Sequence, residues 1–305
     1  MKTYHPEGEL LETAENARFT SSREGMLEAY ASGAVLEGIA AVCTQEHDII
    51  VELPCGKGII IREEGAIGIR EGATRDIALI SKVGKAVCFK IIGIEQEGND
   101  SLYILSRRAA QEECFSNYID RLVSGDIIPA RVTHLEKFGC FVDLGCGIPS
   151  LIPIDAISVS RISHPSDRFF CGQNIYVVIK GREGDHILLS HKELLGTWQQ
   201  NAEKFKVGQT VTGIVRSSES YGIFIELAPN LAGLAEIREN TYPGQAASVF
   251  IKALLPDKMK LKLIIVDSFD CDRFRPKLNY YLKSGHIDRW IYSTPGSSRL
   301  IETVF

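Results

Sequence analysis

Two short runs stand out for the chemistry their side chains can do: Phe138-Gly139-Cys140-Phe141-Val142 and Tyr221-Gly222-Ile223-Phe224-Ile225. In each, an aromatic, a glycine and a second aromatic take the first, second and fourth places. A strand turns successive side chains to opposite faces. If Val142 and Leu144 enter a core, Phe141 and Asp143 point out. The glycine then leaves the surface open above the backbone, with Phe138 or Tyr221 at the same opening. Two uncovered rings beside a bare glycine form a shelf on which planar bases stack, worth about 1–3 kcal/mol per base and tolerant of sequence. The alternative is that the rings plug the barrel ends or pack against a neighbouring domain.

Other chemistry is hard to find. No phosphate loop, nucleophile elbow, HExxH zinc helix or dinucleotide fingerprint occurs in the 305 residues, and the seven histidines are scattered. Cys140 with His134 or His164 is the one conceivable nucleophile, but a small residue between two rings needs no reaction to explain it. Eight cysteines are present with no CxxC pair. They read as reduced, mostly buried thiols and not as a zinc site. No catalysis, cofactor or metal is expected.

The two aromatic runs lie in repeats. Gly125-Asp126-Ile127-Ile128-Pro129-Ala130-Arg131-Val132 aligns without a gap with Gly208-Gln209-Thr210-Val211-Thr212-Gly213-Ile214-Val215. The rings, the next glycine and Leu144 or Leu227 fall at equal offsets. A fainter copy begins Gly33-Ala34-Val35-Leu36-Glu37-Gly38-Ile39. It fits if one residue is inserted before Ile49-Ile50-Val51-Glu52-Leu53, which puts His47 and Ile50 at the aromatic positions. Each copy reads as five short strands with Gly-containing turns, a size that suits a small closed barrel without exposed edges. The expected class is mainly β: tandem five-stranded oligonucleotide-binding-type barrels joined by short helices, with a small C-terminal α or α+β cap.

The spacing divides the chain into an arm and short helix over 1–30 and a degenerate barrel over 31–108. A linker helix over 109–121, a barrel over 122–192, a second linker helix over 193–205, a short barrel over 206–267 and a cap over 268–305 follow. Ser21 and Glu24 have capping-box spacing ahead of the first helix. Residues 1–20 look loosely ordered. Trp198 is expected to pack between adjacent barrels. In the tail, Arg273, Arg275, Lys277, Tyr280, Tyr281, Lys283, Trp290 and Tyr292 interleave bases with rings. Packing of a cap, with Leu278 to Leu282 as helix, is preferred over nucleic-acid binding there.

Composition is ordinary for a globular protein, with 45% apolar and 24% charged residues and a formal net charge of −5. Residues 1–110 carry 12 Lys and Arg against 17 Asp and Glu, so the excess acid sits in the first third. That excludes a basic DNA-binding tail. No apolar run approaches the roughly 18–20 residues of a membrane span, and no signal peptide is apparent, so a cytoplasmic place is expected.

On these motifs the chain resembles the S-one RNA-binding domain family, whose barrel is repeated in the largest small-subunit ribosomal protein. The resemblance covers about residues 30–267. It rests on Phe138-Gly139-Cys140-Phe141-Val142, Tyr221-Gly222-Ile223-Phe224-Ile225, the strand at Ala232-Gly233-Leu234 and the Leu-Ser-x-Lys/Arg endings. It implies a five-stranded Greek-key barrel that binds single-stranded RNA across its second and third strands. The family's stacking rings fall on Phe138 and Phe141, and on Tyr221 and Phe224. Its acidic residue before the last strand falls on Arg182 and Asp257, and its basic residue on His186 and Lys260. Its strand-three histidine falls on Pro153 and Glu236, so both copies depart.

Lys137, Arg131, Arg182 and Lys192 lie near the expected face of the middle copy, and Arg216, Lys258, Lys260 and Lys262 near that of the last. Lys260 and Lys262 alternate with Leu261 and Leu263 and are placed to follow a phosphate backbone. Arg161, His164 and Arg168 are further candidates beside the groove. The expected function is non-enzymatic binding of single-stranded RNA, mRNA included, in translation. The first barrel is expected to dock on protein, as ribosome-attached members use some repeats, which makes the small ribosomal subunit a partner and a membrane none. The rival expectation is a protein-interaction scaffold whose barrels have lost RNA.

Overall fold

A computed structural model describes residues 4–97, 100–184, 186–271 and 277–305. The chain divides into two compact units: Met1–Leu122 with Asp143–Pro149, and Val123–Val142 with Ser150–Phe305.

The first unit opens with helices α1 (Ala14–Thr20) and α2 (Arg23–Ser32). The cap of α2 is Ser22, whose side chain accepts from the Gly25 amide at 3.1 Å. Ser21, the residue with capping-box spacing, is instead consumed by the end of α1, where its amide bonds the Ala17 carbonyl. Gly33 closes α2 in the left-handed region at φ 64°, a conformation that favours glycine. Strands β1 (Leu36–Cys43), β2 (Ile49–Leu53) and β3 (Gly56–Ile60) follow, then the single turn α3 (Ile77–Ile80), β4 (Ala86–Glu97) and β5 (Asp100–Ser106). They close a barrel in the order β1-β2-β3-β5-β4. Ile49, Val51, Ile60, Val87, Phe89 and Leu105 fill it. Helix α4 (Arg107–Asn117) leaves from Ser106, whose hydroxyl caps the Ala109 amide at 2.8 Å.

The expectation of a loose N-terminus is overturned for residues 4–20. Tyr4 and Phe19 are buried, and the arm is held by buried charge. Glu7 takes Arg107 and Lys82, each at 2.6 Å, and the Cys88 amide at 3.2 Å. Burial alone raises the Glu7 carboxyl, but Arg107 and Lys82 outweigh it and hold the group at about 2. Glu37 accepts from the amides of Gly8, Leu10 and Leu11 at 3.0–3.1 Å. Burial nevertheless pushes Glu37 up to about 7, with the Glu7 charge adding to it. The turn Asp143–Pro149 belongs to this unit. Asp143, expected on an open face, is buried: it takes the Glu7 amide at 2.7 Å and the Gly145 and Gly147 amides at 2.8 and 3.0 Å.

The second unit holds two barrels. The middle one is β6 (Asp126–Glu136), β7 (Gly139–Asp143), β8 (Pro149–Pro153), the turn α5 (Ile154–Ile157), β9 (Asn174–Glu183) and β10 (His186–Ser190). Pairing of β6 with β9 closes it. A short connection follows, in which a 3-10 turn over Lys192–Leu195 and helix α6 (Trp198–Ala202) stand in place of one continuous helix. The break is Gly196 at φ 84°, where a Cβ would lie 2.6 Å from the Tyr281 ring. The last barrel is β11 (Thr210–Glu219), β12 (Gly222–Ala228), β13 (Leu231–Ala235), β14 (Ala246–Leu255) and β15 (Lys260–Phe269), closed in the order β11-β12-β13-β15-β14.

One apolar cluster runs through this unit. It joins Ile127 and Val178 of the middle barrel, Leu194 and Trp198 of the connection, and Val215, Ile225 and Val249 of the last barrel. Trp198 therefore packs, as expected.

The tail differs from its expected form. Residues 278–282 make no helix. The Tyr281 amide bonds the Leu194 carbonyl at 2.9 Å, where a helix would need a carbonyl four residues back. The Tyr280 hydroxyl is committed to His191 Nε2 at 3.0 Å. The cap is built of strands: β16 (Gly285–His286) adds to the start of β6, and β17 (Arg289–Ile291) pairs with β18 (Glu302–Val304). Trp290 and Tyr292 are buried in the shared cluster. Arg273 and Arg275 lie outside the described residues. Among the described residues, no helix is long and apolar enough to cross a membrane.

Candidate nucleic-acid interface

Strand registers define the candidate face. In the last barrel Ser217 pairs with Phe224, Phe224 with Leu234, and Leu234 with Lys262. Alternation places Ile223 and Ile225, and Leu261 and Leu263, inside the barrel, all buried. The four paired residues therefore form one row across the outer surface of β11, β12, β13 and β15. Tyr221, in the tight turn before β12, stands 67% exposed at the edge of this row. Its ring centroid lies 6.1 Å from that of Phe224 at 88°, an edge-to-face pair that favours this offset geometry. Lys260 and Lys262 are both exposed on β15. Asp257 and Lys258 are exposed in the turn before β15.

The middle barrel repeats the arrangement. Phe138 is 57% exposed, and its centroid lies 6.0 Å from that of Phe141 at 89°. Leu151 pairs with Leu188 across β8 and β10. The structure adds a ring that the sequence reading had weighed only as a partner for Cys140: His134 lies 6.4 Å from Phe141, tilted by 33°. Its Nε2 sits 2.7 Å from Glu136. The signal was available, because His134 stands at the same offset from Gly125 as Ser217 does from Gly208. Lys137, Arg182 and His186 are exposed, the last two in the β9–β10 hairpin, where His186 pairs with Glu183 and Ile187 with Arg182. Lys192 is half-buried, with Nζ 3.3 Å from the Asp155 carbonyl.

The two glycines do other work than expected. Gly139 and Gly222 are buried, and they do not open the surface to a ligand. A Cβ on Gly139 would lie 2.5 Å from the Ile152 carbonyl oxygen, and one on Gly222 2.6 Å from that of Ala235. Each glycine lets the next strand close in behind the rings. Gly222 also sits at φ 151°, where a side chain is strained.

The first barrel has the same row with different chemistry. Val42 pairs with Ile50, Ile50 with Ile59, and Ile59 with Ile104. The extra residue of this copy is taken up in the turn, where His47 adopts φ 68°. Ile50 thus occupies the register position of Phe224, as the alignment placed it, and the row carries only aliphatic side chains.

Two arginines counted near the face are withdrawn from it. Arg168 is 1% exposed and bonds Glu226, which is itself buried and also takes Arg216. Arg216 reaches Asp167 at 3.3 Å. Asp167 and Arg168 come from the middle barrel, Arg216 and Glu226 from the last, so these ions join the barrels. Asn230 does likewise. Its Oδ1 accepts from the Val159 amide at 2.9 Å, and its Nδ2 donates to the Lys192 and Gly196 carbonyls at 2.8 and 2.9 Å. His191, wholly buried, donates from Nδ1 to the Ile157 carbonyl at 2.8 Å and so accepts from Tyr280 through Nε2. Burial lowers its pKa to about 4, keeping the ring neutral.

Residues 122–192 match the model of the S1 RNA binding domain. The chain carries that match in its middle barrel, β6 to β10. It is 34% identical over 163 residues to the small ribosomal subunit protein bS1 homolog of Bacillus subtilis, covering 51% of this chain and 42% of that protein. It is 29% identical over 200 residues to small ribosomal subunit protein bS1 of Staphylococcus aureus, covering 60% and 50%. The chain thus spans about half the length of these relatives. A solved multidomain protein with nucleic acid binding domains from Streptococcus pneumoniae overlaps 77% of this chain and 74% of its own, at 14% identity and a TM-score of 0.24. The strand orders describe tandem five-stranded barrels of the oligonucleotide-binding type.

Proposed function

We propose that the chain binds single-stranded RNA on the outer rows of its middle and last barrels. The carrying observation is the pair of edge-to-face aromatic couples, Phe138 with Phe141 and Tyr221 with Phe224, set at equivalent places with the first ring of each open to solvent. Bases stack on these rings, while Lys137, Arg182 and His186, and Lys260 and Lys262, follow the phosphates. Asp257 is the last residue of the proposed set, placed to accept from a base edge or a ribose hydroxyl. The S-one family and the bS1 relatives support a role in translation, with mRNA as the strand and the small ribosomal subunit as the place. The work is binding, not catalysis.

For the first barrel we favour a protein face. Its row Val42, Ile50, Ile59 and Ile104 has no ring to stack and no cation, and the acidic third of the chain repels phosphate.

The test is the affinity of the full chain for labelled single-stranded RNA, read by fluorescence anisotropy. Phe141→Ala and Phe224→Ala each weaken binding about tenfold, and together by considerably more, with unchanged melting. Affinity falls with added salt, since each neutralised phosphate contributes a slope of about −0.7. Undiminished binding by the double variant overturns the proposal.

A further inference from the structure

One position keeps its place in all three barrels while its chemistry changes. It is the ninth residue after the glycine that opens each copy: Val42, His134 and Ser217. In the first and last barrels the strand bulges just before it, the register slipping between Ala40 and Val42 and between Val215 and Ser217. A bulge of this kind re-aims the side chain that follows. Val42 then pairs with Ile50, and Ser217 with Phe224. The same place beside the central residue of the row thus carries an isopropyl group, an imidazole or a hydroxyl.

The imidazole is the one the fold does not explain. The His134 side chain is 63% exposed, so it fills no core. Its ring centroid lies 6.4 Å from that of Phe141 and its plane is tilted by 33°, whereas Phe138 stands to Phe141 at 89°. The His134 and Phe141 faces are closer to parallel than to edge-on, so a planar group seated on Phe141 is within reach of both. Nε2 of His134 lies 2.7 Å from a Glu136 carboxylate oxygen. A carboxylate only accepts, so Nε2 carries the proton and, in the neutral ring, Nδ1 keeps a lone pair. Among the described residues Nδ1 has no hydrogen-bond partner. Glu136 alone repels a phosphate; bonded to His134, it fixes the tautomer and the orientation of the ring.

We infer that His134 is a further RNA-contacting residue of the middle barrel: its ring extends the platform beyond Phe141, and its Nδ1 accepts a hydrogen bond from an N–H on the edge of a base bound there. This rests on the reading of the middle barrel as an RNA binder. The last barrel, with Ser217 at the same place, lacks the third ring.

The experiment measures the affinity of the full chain for labelled single-stranded RNA in a Phe224→Ala background, where the middle barrel carries the remaining platform. Adding His134→Ala weakens binding about tenfold, His134→Phe falls between histidine and alanine, and the melting curves coincide. In a Phe141→Ala background, Ser217→His strengthens binding several-fold, a gain that a merely structural histidine does not give. A phenylalanine variant no better than alanine overturns the stacking, and one equal to histidine overturns the hydrogen bond. If His134→Ala binds as its parent does while Phe141→Ala in the same background does not, the inference fails and the RNA reading stands. If wild type binds no single-stranded RNA, both fail.

Discussion

The first and last barrels share a backbone row but not what stands on it. Val42, Ile50, Ile59 and Ile104 occupy in one the places of Ser217, Phe224, Leu234 and Lys262 in the other. Both barrels close in the same order, since closure depends on inward residues such as Ile49 and Val51, or Ile223 and Ile225, and those stay aliphatic. The outward set contributes little to closure and is free to change. A barrel of this kind therefore separates its fold from its outer surface along the pleat of each strand, and one exchanged row turns an aromatic surface into an aliphatic one.

The ionic supports of the two units offer the largest handle on that comparison. Glu226→Ala leaves Arg168 buried without its counter-charge and costs the second unit about 3–5 kcal/mol. Both tryptophans, Trp198 and Trp290, lie in the second unit, so denaturant unfolding followed by tryptophan fluorescence reads this loss directly. A midpoint equal to wild type would show that this ion cluster adds nothing to the joint between the barrels.

Next in size is an opposite response to pH. In the first unit Glu37 and Asp143 are held up, at about 7 and about 6. The unfolded chain ionises these groups first, so their contribution is greatest in acid and drains as pH rises toward 7. In the second unit His191 is held down at about 4. The unfolded chain takes up that proton first, so its contribution is full above about pH 6.5 and drains as pH falls toward 4. Glu7, held at about 2, acts only below the ordinary carboxyl range. Between about pH 4.5 and 6, then, rising pH weakens the first unit and strengthens the second. Hydrogen exchange resolves the two slopes. Glu37→Gln flattens the first and His191→Gln the second, and parallel slopes in wild type would contradict both assignments.

The smallest effects distinguish the rows themselves. Lys262→Ala weakens RNA binding a few-fold and reduces the salt slope by about 0.7. Ile50→Ala, at the matching register of the first barrel, leaves RNA affinity and salt slope where they were. A drop with Ile50→Ala would place RNA on the first barrel too.

The repeats, the rings and the one-residue insertion were legible because they depend on local spacing. What the sequence hid depends on distant partners. The order of residues 4–20 follows from Glu7 meeting Arg107, 100 residues away, and from Asn16 bonding the Glu37 backbone. The tail looked helical around Leu278 to Leu282, but Tyr280 is claimed by His191, 89 residues earlier. Arg168 and Arg216 look like surface cations until Glu226 is placed between them. Gly139 and Gly222 carried the right emphasis for the wrong reason, since a sequence does not say on which side of a glycine the crowding lies.

Asn230 and the Arg168–Glu226–Arg216 cluster have one more consequence. They fasten the middle barrel, the connection and the last barrel into a fixed gauge, not two beads on a string. On the proposed reading, a polynucleotide reaching from Phe141 to Phe224 meets two stops whose separation the protein does not adjust. All the slack must come from the intervening nucleotides, so the number of bases between the two grips, more than their identity, sets which strands engage both at once.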